Sequence, residues 1–163
     1  MQKITPCLWF DGDAEEAAGF YVTLLPDSRI DNVVRSPADN PSMKKGGVLL
    51  VEFTLAGQKY SGLNGGPQFP FTEAVSFMIL CEDQAEVDRL WEALAAGGGE
   101  PIQCGWLKDK YGLRWQICPK QMLDMLASDD REAARRAFEA MMGMVKLDLA
   151  ELRRAFKGET VEA

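Results

Sequence analysis

Residues 8–25 read LWFDGDAEEAAGFYVTLL, and this stretch decides the fold because residues 79–94 repeat its pattern as ILCEDQAEVDRLWEAL. Each copy has an apolar β-favouring run, an aspartate suited to cap a helix, a glutamate three residues later, and apolar positions at helical spacing. The two copies predict a duplicated strand–helix unit with a shift of about 70 residues. At that shift five pairs coincide: Asp13 with Asp83, Glu16 with Glu86, Phe20 with Leu90, Tyr21 with Trp91 and Leu24 with Leu94.

The composition is that of a folded globular protein, with 47% hydrophobic residues in 163. This length suits one domain, residues 1–163, built from two modules that share one core. The net charge of -7 disfavours a nucleic-acid partner, because phosphate binding needs a basic face. No apolar run approaches the roughly 20 residues of a membrane span, and the N-terminus lacks the pattern of a signal peptide. The sequence therefore predicts no membrane association.

The chain contains no histidine, which narrows the chemistry open to it. A Ser-His-Asp or Cys-His nucleophile system is excluded, and so is imidazole as a general base or metal ligand. The four cysteines form no C-x-x-C pair, which disfavours a zinc site built from them. We expect free thiols in a reducing, cytoplasmic environment. Cys104 and Cys118 are candidate nucleophiles if a nearby cation stabilises the thiolate, and inert packing is the alternative for both.

The first module, about residues 1–66, is predicted to contain one helix and four strands. Asp13 is expected to cap the helix, with Glu16 as its capping-box partner. Gly57 suits the tight turn of a hairpin. The elements in order are a strand at residues 4–10, a helix between Asp13 and Pro26, a strand at 29–35, and a hairpin of residues 48–56 and 58–64.

The second module, about residues 73–119, is predicted to repeat this order. Gly97 to Gly99 ends its helix, since glycine adopts the left-handed geometry common at helix ends. Residues 64–72 join the modules and are too rich in glycine and proline for regular structure. Each module is thus β-α-β-β-β, and the fold class is α+β. The predicted elements are a strand from residue 74, a helix from Asp83, and strands at 101–104, 106–108 and 113–118.

A helical tail is predicted at residues 120–157, with helices over 129–142 and 148–156. Its apolar stripes either pack on the body of the protein or contact a partner subunit, and the sequence leaves both open. A further alternative is an interaction module whose tail binds another protein. The stripes consist of Ala134, Phe138, Met141 and Met142, then Leu149, Leu152 and Phe156.

Three motifs resemble the vicinal oxygen chelate (glyoxalase/bleomycin resistance/dioxygenase) superfamily, and within it the PhnB-like, 3-demethylubiquinone-9 3-methyltransferase-like branch. They read TPCLWFDGDAEEA at residues 5–17, LNGGPQFPF at residues 63–71 and CGWLKDKYGLRWQI at residues 104–117. The resemblance covers residues 3–119. It implies two βαβββ modules that form a curved mixed sheet around a cavity, a small-molecule ligand, and a homodimer.

Superfamily members that use a metal take its ligands from a few cavity-facing strand positions. Carried over from the D-x6-F-Y motif and the turn glycines, these positions fall on Pro6, Ser61, Ser76 and Gln116. Proline has no side-chain donor, and hydroxyls and an amide are poor ligands for zinc, iron or nickel. We therefore predict no metal and no cofactor.

Alternation along the strands then divides their side chains between the cavity and the helices. In the first strand it predicts Leu8 and Phe10 inward, with Cys7 and Trp9 toward the helix. The predicted ligand pocket consists of Leu8, Phe10, Ser61, Asn64, Ser76, Met78, Trp106, Arg114 and Gln116.

Two charged residues on the predicted inner face have more than one interpretation. Arg114 suits bidentate binding of a carboxylate or phosphonate, or else it forms a salt bridge near the turn. Glu52 is the candidate catalytic residue, because a carboxylate in an apolar cavity keeps its proton to higher pH and serves as a general base. Its alternatives are solvent exposure or a structural ion pair, and a pair with Arg114 would account for both residues.

The linker residues Asn64, Gln68 and Phe69 form either a lid over the pocket or a tight connector whose phenylalanines fill the core. No G-x-G-x-x-G follows a strand, so methyltransferase activity is not expected. The sequence predicts a metal-independent small-molecule binding protein. The alternative is an enzyme of lyase, isomerase or dioxygenase type that uses Glu52 or an unrecognised metal site.

Overall fold

The computed structural model describes residues 3–159. The chain divides into two compact units, Met1–Phe71 and Thr72–Ala163, at a point inside the predicted linker. The first unit contains one helix and four strands. In chain order these are β1 (Cys7–Phe10), α1 (Ala14–Tyr21), β2 (Arg29–Arg35), β3 (Val48–Leu55) and β4 (Gln58–Asn64).

The second unit repeats this order and then adds three helices. Its repeated part is β5 (Ser76–Cys81), α2 (Gln84–Ala95), β6 (Glu100–Pro101), β7 (Trp106–Lys108) and β8 (Arg114–Pro119). The helices that follow are α3 (Lys120–Leu126), α4 (Arg131–Met142) and α5 (Leu149–Lys157).

The two sheets have the same strand order, β1-β4-β3-β2 in one unit and β5-β8-β7-β6 in the other. In each, the first strand runs parallel to the last, and the remaining neighbours are antiparallel. This confirms the predicted duplication and the α+β class with two βαβββ modules and C-terminal helices.

Backbone geometry explains where the strands turn or stop. The β3–β4 hairpin turns at Ala56 (φ 46°) and Gly57 (φ 78°), and two successive positive φ values suit a two-residue hairpin loop. The strand predicted at residues 101–104 is wrong beyond Pro101. Cys104 has φ 58°, which lies in the left-handed region and outside the range of a β-strand.

The helices α1 and α2 begin with different hydrogen bonds although their sequences are alike. At α2, Asp83 accepts a hydrogen bond from the Glu86 amide (2.9 Å), and the Glu86 carboxylate accepts one from the Glu82 amide (2.8 Å). This is close to the predicted capping box. At α1 the Asp13 side chain makes no capping hydrogen bond, so it does not supply its half of the box predicted with Glu16.

The alternation predicted for β1 is wrong by one residue. In the first strands of the two units, equivalent buried residues differ by 71 in residue number, as Phe10 and Cys81 do. In the helices that follow, they differ by 70, as Tyr21 and Trp91 do. The loop that leads to Asp13 is therefore one residue longer than its counterpart. Because a one-residue slip moves every side chain of a strand to the opposite face, a shift carried over from the helices exchanges the two faces of β1.

The predicted inward residues of β1, Leu8 and Phe10, consequently lie buried on the side of α1. A Cβ atom at Gly62, which pairs with Leu8, would lie 3.3 Å from both the Ala14 Cβ and a ring carbon of Phe10. Their predicted place on a ligand pocket is corrected accordingly. The β1 residues on the opposite face are Cys7 and Trp9.

The C-terminal helices pack within the second unit. A buried cluster on α3, α5 and the segments beside them includes Met122, Leu147 and Leu152 together with Cys118 of β8. The predicted stripe of α4 is only partly buried, since Phe138 is 48% exposed. The homodimer implied by the resemblance stays a prediction. Within residues 3–159 no helix has the length and apolar character needed to cross a membrane.

Candidate functional site

The face of the first sheet that lies away from α1, called its open face, carries a cavity of about 340 Å³. Glu52 and Ser61 lie side by side there, because they pair directly across the β3–β4 ladder. Small-molecule sites usually occupy about 300–1,000 Å³, so this cavity falls within that range. Its lining residues are Thr5, Asp31, Asn32, Leu50, Glu52, Lys59, Tyr60 and Ser61.

Asp31 supplies a negatively charged carboxylate to this cavity, and sequence analysis did not identify this residue. Its Oδ2 accepts hydrogen bonds from Thr54 Oγ1 (2.6 Å) and Lys59 Nζ (3.3 Å), and Arg29 Nε lies 2.9 Å from Oδ1. The hydrogen bond from Thr54, with help from Lys59 and Arg29, holds the pKa of Asp31 below its ordinary value. The cavity thus contains a carboxylate that is held in place by its neighbours.

Glu52, the candidate general base, is exposed, and its carboxylate accepts a hydrogen bond from Asn32 Nδ2 (2.9 Å). The apolar burial on which its predicted role depends is therefore absent. Glu52 does lie on the same face of the sheet as Ser61, as predicted, because the two residues pair directly. Solvent exposure was one of the alternatives from the sequence, and a catalytic role for Glu52 stays a prediction.

The open face of the second sheet, opposite α2, brings together five predicted site residues. Direct pairing places Met78, Gln116 and Trp106 in one row across β5, β8 and β7, and Ser76 pairs with Arg114. Gln116 Nε2 donates a hydrogen bond to Ser76 Oγ (2.8 Å). The alternation predicted for β5 and β8 agrees with this register, and a part in ligand binding stays a prediction.

Arg114 is held by a salt bridge close to the β7–β8 turn. Its Nη2 and Nε lie 2.6 Å and 3.1 Å from Glu73 Oε1, and its Nη1 donates to the carbonyl of Gly112. The guanidinium lowers the pKa of Glu73 through these hydrogen bonds. The side chain of Arg114 is 14% exposed, so the ion pair orients the guanidinium at the edge of the open face. This is the structural interpretation that the sequence left open.

Asp109 orders the turn that presents Arg114 and Gln116, and sequence analysis missed it. The residue is 1% exposed. Its Oδ1 accepts hydrogen bonds from the amides of Tyr111 (2.9 Å) and Leu113 (3.0 Å), and its Oδ2 accepts one from Trp115 Nε1 (2.8 Å). An aspartate at the start of the turn DKYG was the available signal, because Asp commonly bonds backbone amides two residues on.

Asn64, assigned to the pocket and the lid by sequence, has a structural role at the end of β4. Its Oδ1 accepts a hydrogen bond from the Ala14 amide (2.9 Å) and thereby caps α1 in place of Asp13. Its Nδ2 donates to the Val48 carbonyl (2.9 Å). The residue is buried and lies three positions from Ser61, on the opposite face of the strand. Asn64 therefore lies off the open face, and its predicted part in a ligand pocket stays a prediction.

We expect Asn64→Ala to lower the free energy of unfolding by about 2 kcal/mol, because it removes a helix cap and leaves the Val48 carbonyl without this donor. Urea denaturation measures the effect. Gln58→Ala, an exposed position of the same strand, is the matched control and is expected to change stability by less than about 0.5 kcal/mol. Equal stability of Asn64→Ala and the control would contradict this role.

The linker phenylalanines differ in their contacts. Phe71 packs edge-on against Phe10, with ring centroids 5.3 Å apart. Phe69 makes a similar contact with Trp9 (4.9 Å) but is mostly exposed, and Trp9 Nε1 donates to the Gly66 carbonyl (2.8 Å). Of the two phenylalanines, the half-buried Phe71 packs against the core residue Phe10, and the connector interpretation holds for it only in part. A lid role for this segment stays a prediction.

The residues at the metal-ligand positions of the superfamily do not fit a transition ion. Within the first unit the corrected strand phase puts Cys7 beside Ser61. Within the second unit, the side chain of Gln116 donates a hydrogen bond to the side chain of Ser76. A thiol with hydroxyls and an amide falls short of the donor sets that zinc or iron requires. Among residues 3–159, no three His, Cys, Asp or Glu side chains gather closely enough to hold an ion.

The thiol of Cys118, a candidate nucleophile, is unsuited to that role. Burial raises its pKa to about 11, and burial likewise raises the pKa of Cys81 to about 12. A thiol with so high a pKa carries almost no thiolate near neutral pH, and the thiolate is the reactive form. Both residues therefore serve packing, which for Cys118 was the alternative from the sequence.

Comparison with known proteins agrees with this architecture. Residues 2–118 match the family described as 3-demethylubiquinone-9 3-methyltransferase. A PhnB protein from Bacillus cereus is 36% identical, with 72% of this chain and 99% of that chain covered and a TM-score of 0.66. No curated protein matches the chain significantly.

Two more distant structures show the fold alone. Protein PA1353 from Pseudomonas aeruginosa is 21% identical, with 73% of this chain and 98% of that chain covered and a TM-score of 0.59. The fosfomycin resistance protein FosX from Mesorhizobium loti is 13% identical, with 78% and 100% covered and a TM-score of 0.53. The two βαβββ modules and these likenesses define a glyoxalase-like fold. The chain belongs to the 3-demethylubiquinone-9 3-methyltransferase family, the PhnB-like branch of the vicinal oxygen chelate superfamily.

Proposed function

We propose that the protein binds a small molecule on the open face of its first sheet without the help of a metal ion. The observation that carries this proposal is the cavity of about 340 Å³ in the first unit, which is lined by hydrogen-bonding and charged side chains. Sites of this size with a few convergent polar groups are typical of small-molecule binding. Membership of a glyoxalase-like family supports the same class of function.

The lining favours a polar ligand with both donors and acceptors. Asp31 and Glu52 supply carboxylates, Lys59 supplies an ammonium, and Asn32 supplies an amide within one cavity. Since Lys59 and Asn32 already contact these carboxylates, a ligand would exchange some of those contacts for its own. The second unit by itself carries Trp106 and Met78 on its open face, an aromatic and a thioether surface of the kind that packs against apolar groups.

We do not propose methyl transfer, although the family description names it. A nucleotide-type cofactor usually places its anionic part on a glycine-rich loop at a helix N-terminus. Here the loops before α1 and α2 carry Asp11 and Asp13, and Glu82 and Asp83. These carboxylates disfavour an anion at either helix start.

An enzymatic role is the second candidate, with Glu52 as base or with a metal site that the described residues do not reveal. Elemental analysis of the purified protein separates it from the first. Less than about 0.1 equivalent of zinc, iron, nickel or manganese is expected, because the chelate positions lack suitable ligands. A stoichiometric transition metal would overturn the metal-independent proposal.

Ligand-class screening by thermal shift tests the proposal directly. A ligand present at 100 times its dissociation constant stabilises the folded state by about 2.7 kcal/mol, which raises the melting temperature by several degrees. We expect at least one polar small-molecule class to do so, and Ser61→Trp to abolish the shift because the indole fills the cavity.

Gln58→Trp is the matched control, since it places the same indole on the other face of the same strand. We expect this variant to keep the ligand-induced shift. If no ligand class stabilises the wild-type protein, the proposal is contradicted. An undiminished shift in Ser61→Trp would show that the ligand binds elsewhere.

A further inference from the structure

A second cavity of the first unit lies outside the proposed ligand site. It has a volume of about 390 Å³ and lies where the ends of β1 and β4 meet the start of β3 and the loop of residues 36–47. This volume also falls within the range usual for small-molecule sites. Within residues 3–159 the two cavities share no lining residue. The second cavity is lined by Asp11, Gly12, Ser42, Met43, Val48, Asn64 and Gly66.

Hydrogen bonds between separate segments hold the walls of the second cavity in place. Asn64 Nδ2 donates to the Val48 carbonyl and joins the end of β4 to the start of β3. Ser42 Oγ donates to the Gly65 carbonyl (2.7 Å), which ties the loop of residues 36–47 to the segment after β4. The Gly65 amide in turn donates to the Phe10 carbonyl at the end of β1 (3.0 Å). The cavity is therefore formed before a ligand arrives, which lowers the entropic cost of binding.

Asp11 gives the second cavity an uncompensated negative charge. Within the described part of the chain it is the one charged residue of the lining, and its exposed carboxylate has no hydrogen bond or ion pair. The carboxylate is not used to cap α1, since the Ala14 amide donates to Asn64 instead. In the first cavity, by contrast, the carboxylate of Asp31 is paired with Lys59. The second cavity therefore favours a cationic ligand.

We propose that the second cavity binds a primary alkylammonium ion, with the ammonium group at Asp11 and the alkyl chain against Met43 and Val48. An ammonium group has three N–H donors, and its hydrogen bonds to a carboxylate are about twice as strong as neutral ones. Ser42 Oγ gives its proton to the Gly65 carbonyl, so this oxygen keeps a lone pair for a second N–H of the ligand. Met43 and Val48 are half-buried and supply a thioether and methyl groups for the chain.

Titration with n-pentylammonium chloride, followed by the amide signals of ¹⁵N-labelled protein in two-dimensional NMR spectra, tests the site. We expect the signals of Gly12, Met43 and Gly66 to shift in a saturable way. n-Pentanol has the same chain without the charge, and it is expected to bind at least about tenfold more weakly, because hydrogen bonds to charged groups are the stronger ones. Binding of the ammonium ion is also expected to weaken as the salt concentration rises, since salt screens exposed charges.

Asp11→Asn keeps the shape of the side chain and removes its charge, so we expect it to weaken pentylammonium binding by at least about tenfold. Asp13→Asn is the matched control, because Asp13 is an exposed carboxylate of the same loop that does not line the cavity. Its effect is expected to be less than about twofold, since exposed charges at a distance are screened.

Three results would overturn the proposal: affinity of Asp11→Asn equal to that of the wild type, equal affinity for pentanol, or no shifts at Gly12 and Gly66. Shifts confined to the surroundings of Glu52 and Ser61 would have the same consequence, because they would place the amine in the first cavity. Ser61→Trp fills the first cavity and is expected to keep pentylammonium binding at Asp11. A failure here is thus distinguishable from a failure of the ligand screen above.

Discussion

Asp109→Ala is expected to lower the free energy of unfolding by about 3 kcal/mol, because it removes the acceptor of two buried donors and one partly buried donor. These are the amides of Tyr111 and Leu113 and the indole N–H of Trp115. The Leu113 amide and the Trp115 indole are then left without this partner in places that water reaches poorly. Chemical denaturation followed by the fluorescence of Trp115 and the other tryptophans measures the loss.

Two further variants sharpen this prediction. Asp109→Asn keeps an oxygen for the amides but turns an NH₂ group toward the indole N–H, so we expect an intermediate loss of about 1–2 kcal/mol. Asp124→Ala, an exposed aspartate on α3, is the matched control and should stay within about 0.5 kcal/mol of wild type. A loss below about 1 kcal/mol in Asp109→Ala would show that the turn does not rest on this carboxylate.

Leu152→Ala is expected to cost about 3 kcal/mol, because truncation of a fully buried leucine removes apolar contact and leaves a cavity. Leu152 belongs to the cluster that joins α5 to Met122, Leu147 and Cys118. The same denaturation experiment measures it. The result would establish that the tail contributes to the stability of this subunit, which its apolar stripe alone did not decide.

The control for the tail is Phe138→Ala, another residue of the predicted stripes. Phe138 is half exposed, so we expect a loss under about 1 kcal/mol. Equal effects of Leu152→Ala and Phe138→Ala would contradict the packing described here. A negligible effect of Leu152→Ala would instead favour a tail that depends on a partner.

How much of the candidate site was predictable differs between the two units. On the second open face, Ser76, Met78 and Gln116 followed from alternation, because neighbouring strands in register keep one phase. On the first, Glu52 and Ser61 were assigned to one face correctly. Leu8 and Phe10 were assigned to the wrong face. The position of β1 was counted from α1, and the loop between β1 and α1 is one residue longer than the equivalent loop between β5 and α2.

The partners of the charged residues were beyond the reach of the sequence. Arg114 pairs with Glu73, which lies 41 residues away, and Glu52 takes a hydrogen bond from Asn32, 20 residues away. A single chain offers many carboxylates and cations, and composition does not show which of them meet. The pair of Glu52 with Arg114 considered from the sequence is replaced by these observed contacts.

The amino-acid sequence by itself determined the kinds and order of the elements, because hydrophobic period, turn glycines and helix caps act over a few neighbouring residues. Only the tertiary structure decided which side of β1 meets α1, that Asn64 caps a helix, and that Asp109 holds a turn and an indole. Those outcomes depend on register and on contacts between distant segments, where one residue more in a loop reverses the face of a strand.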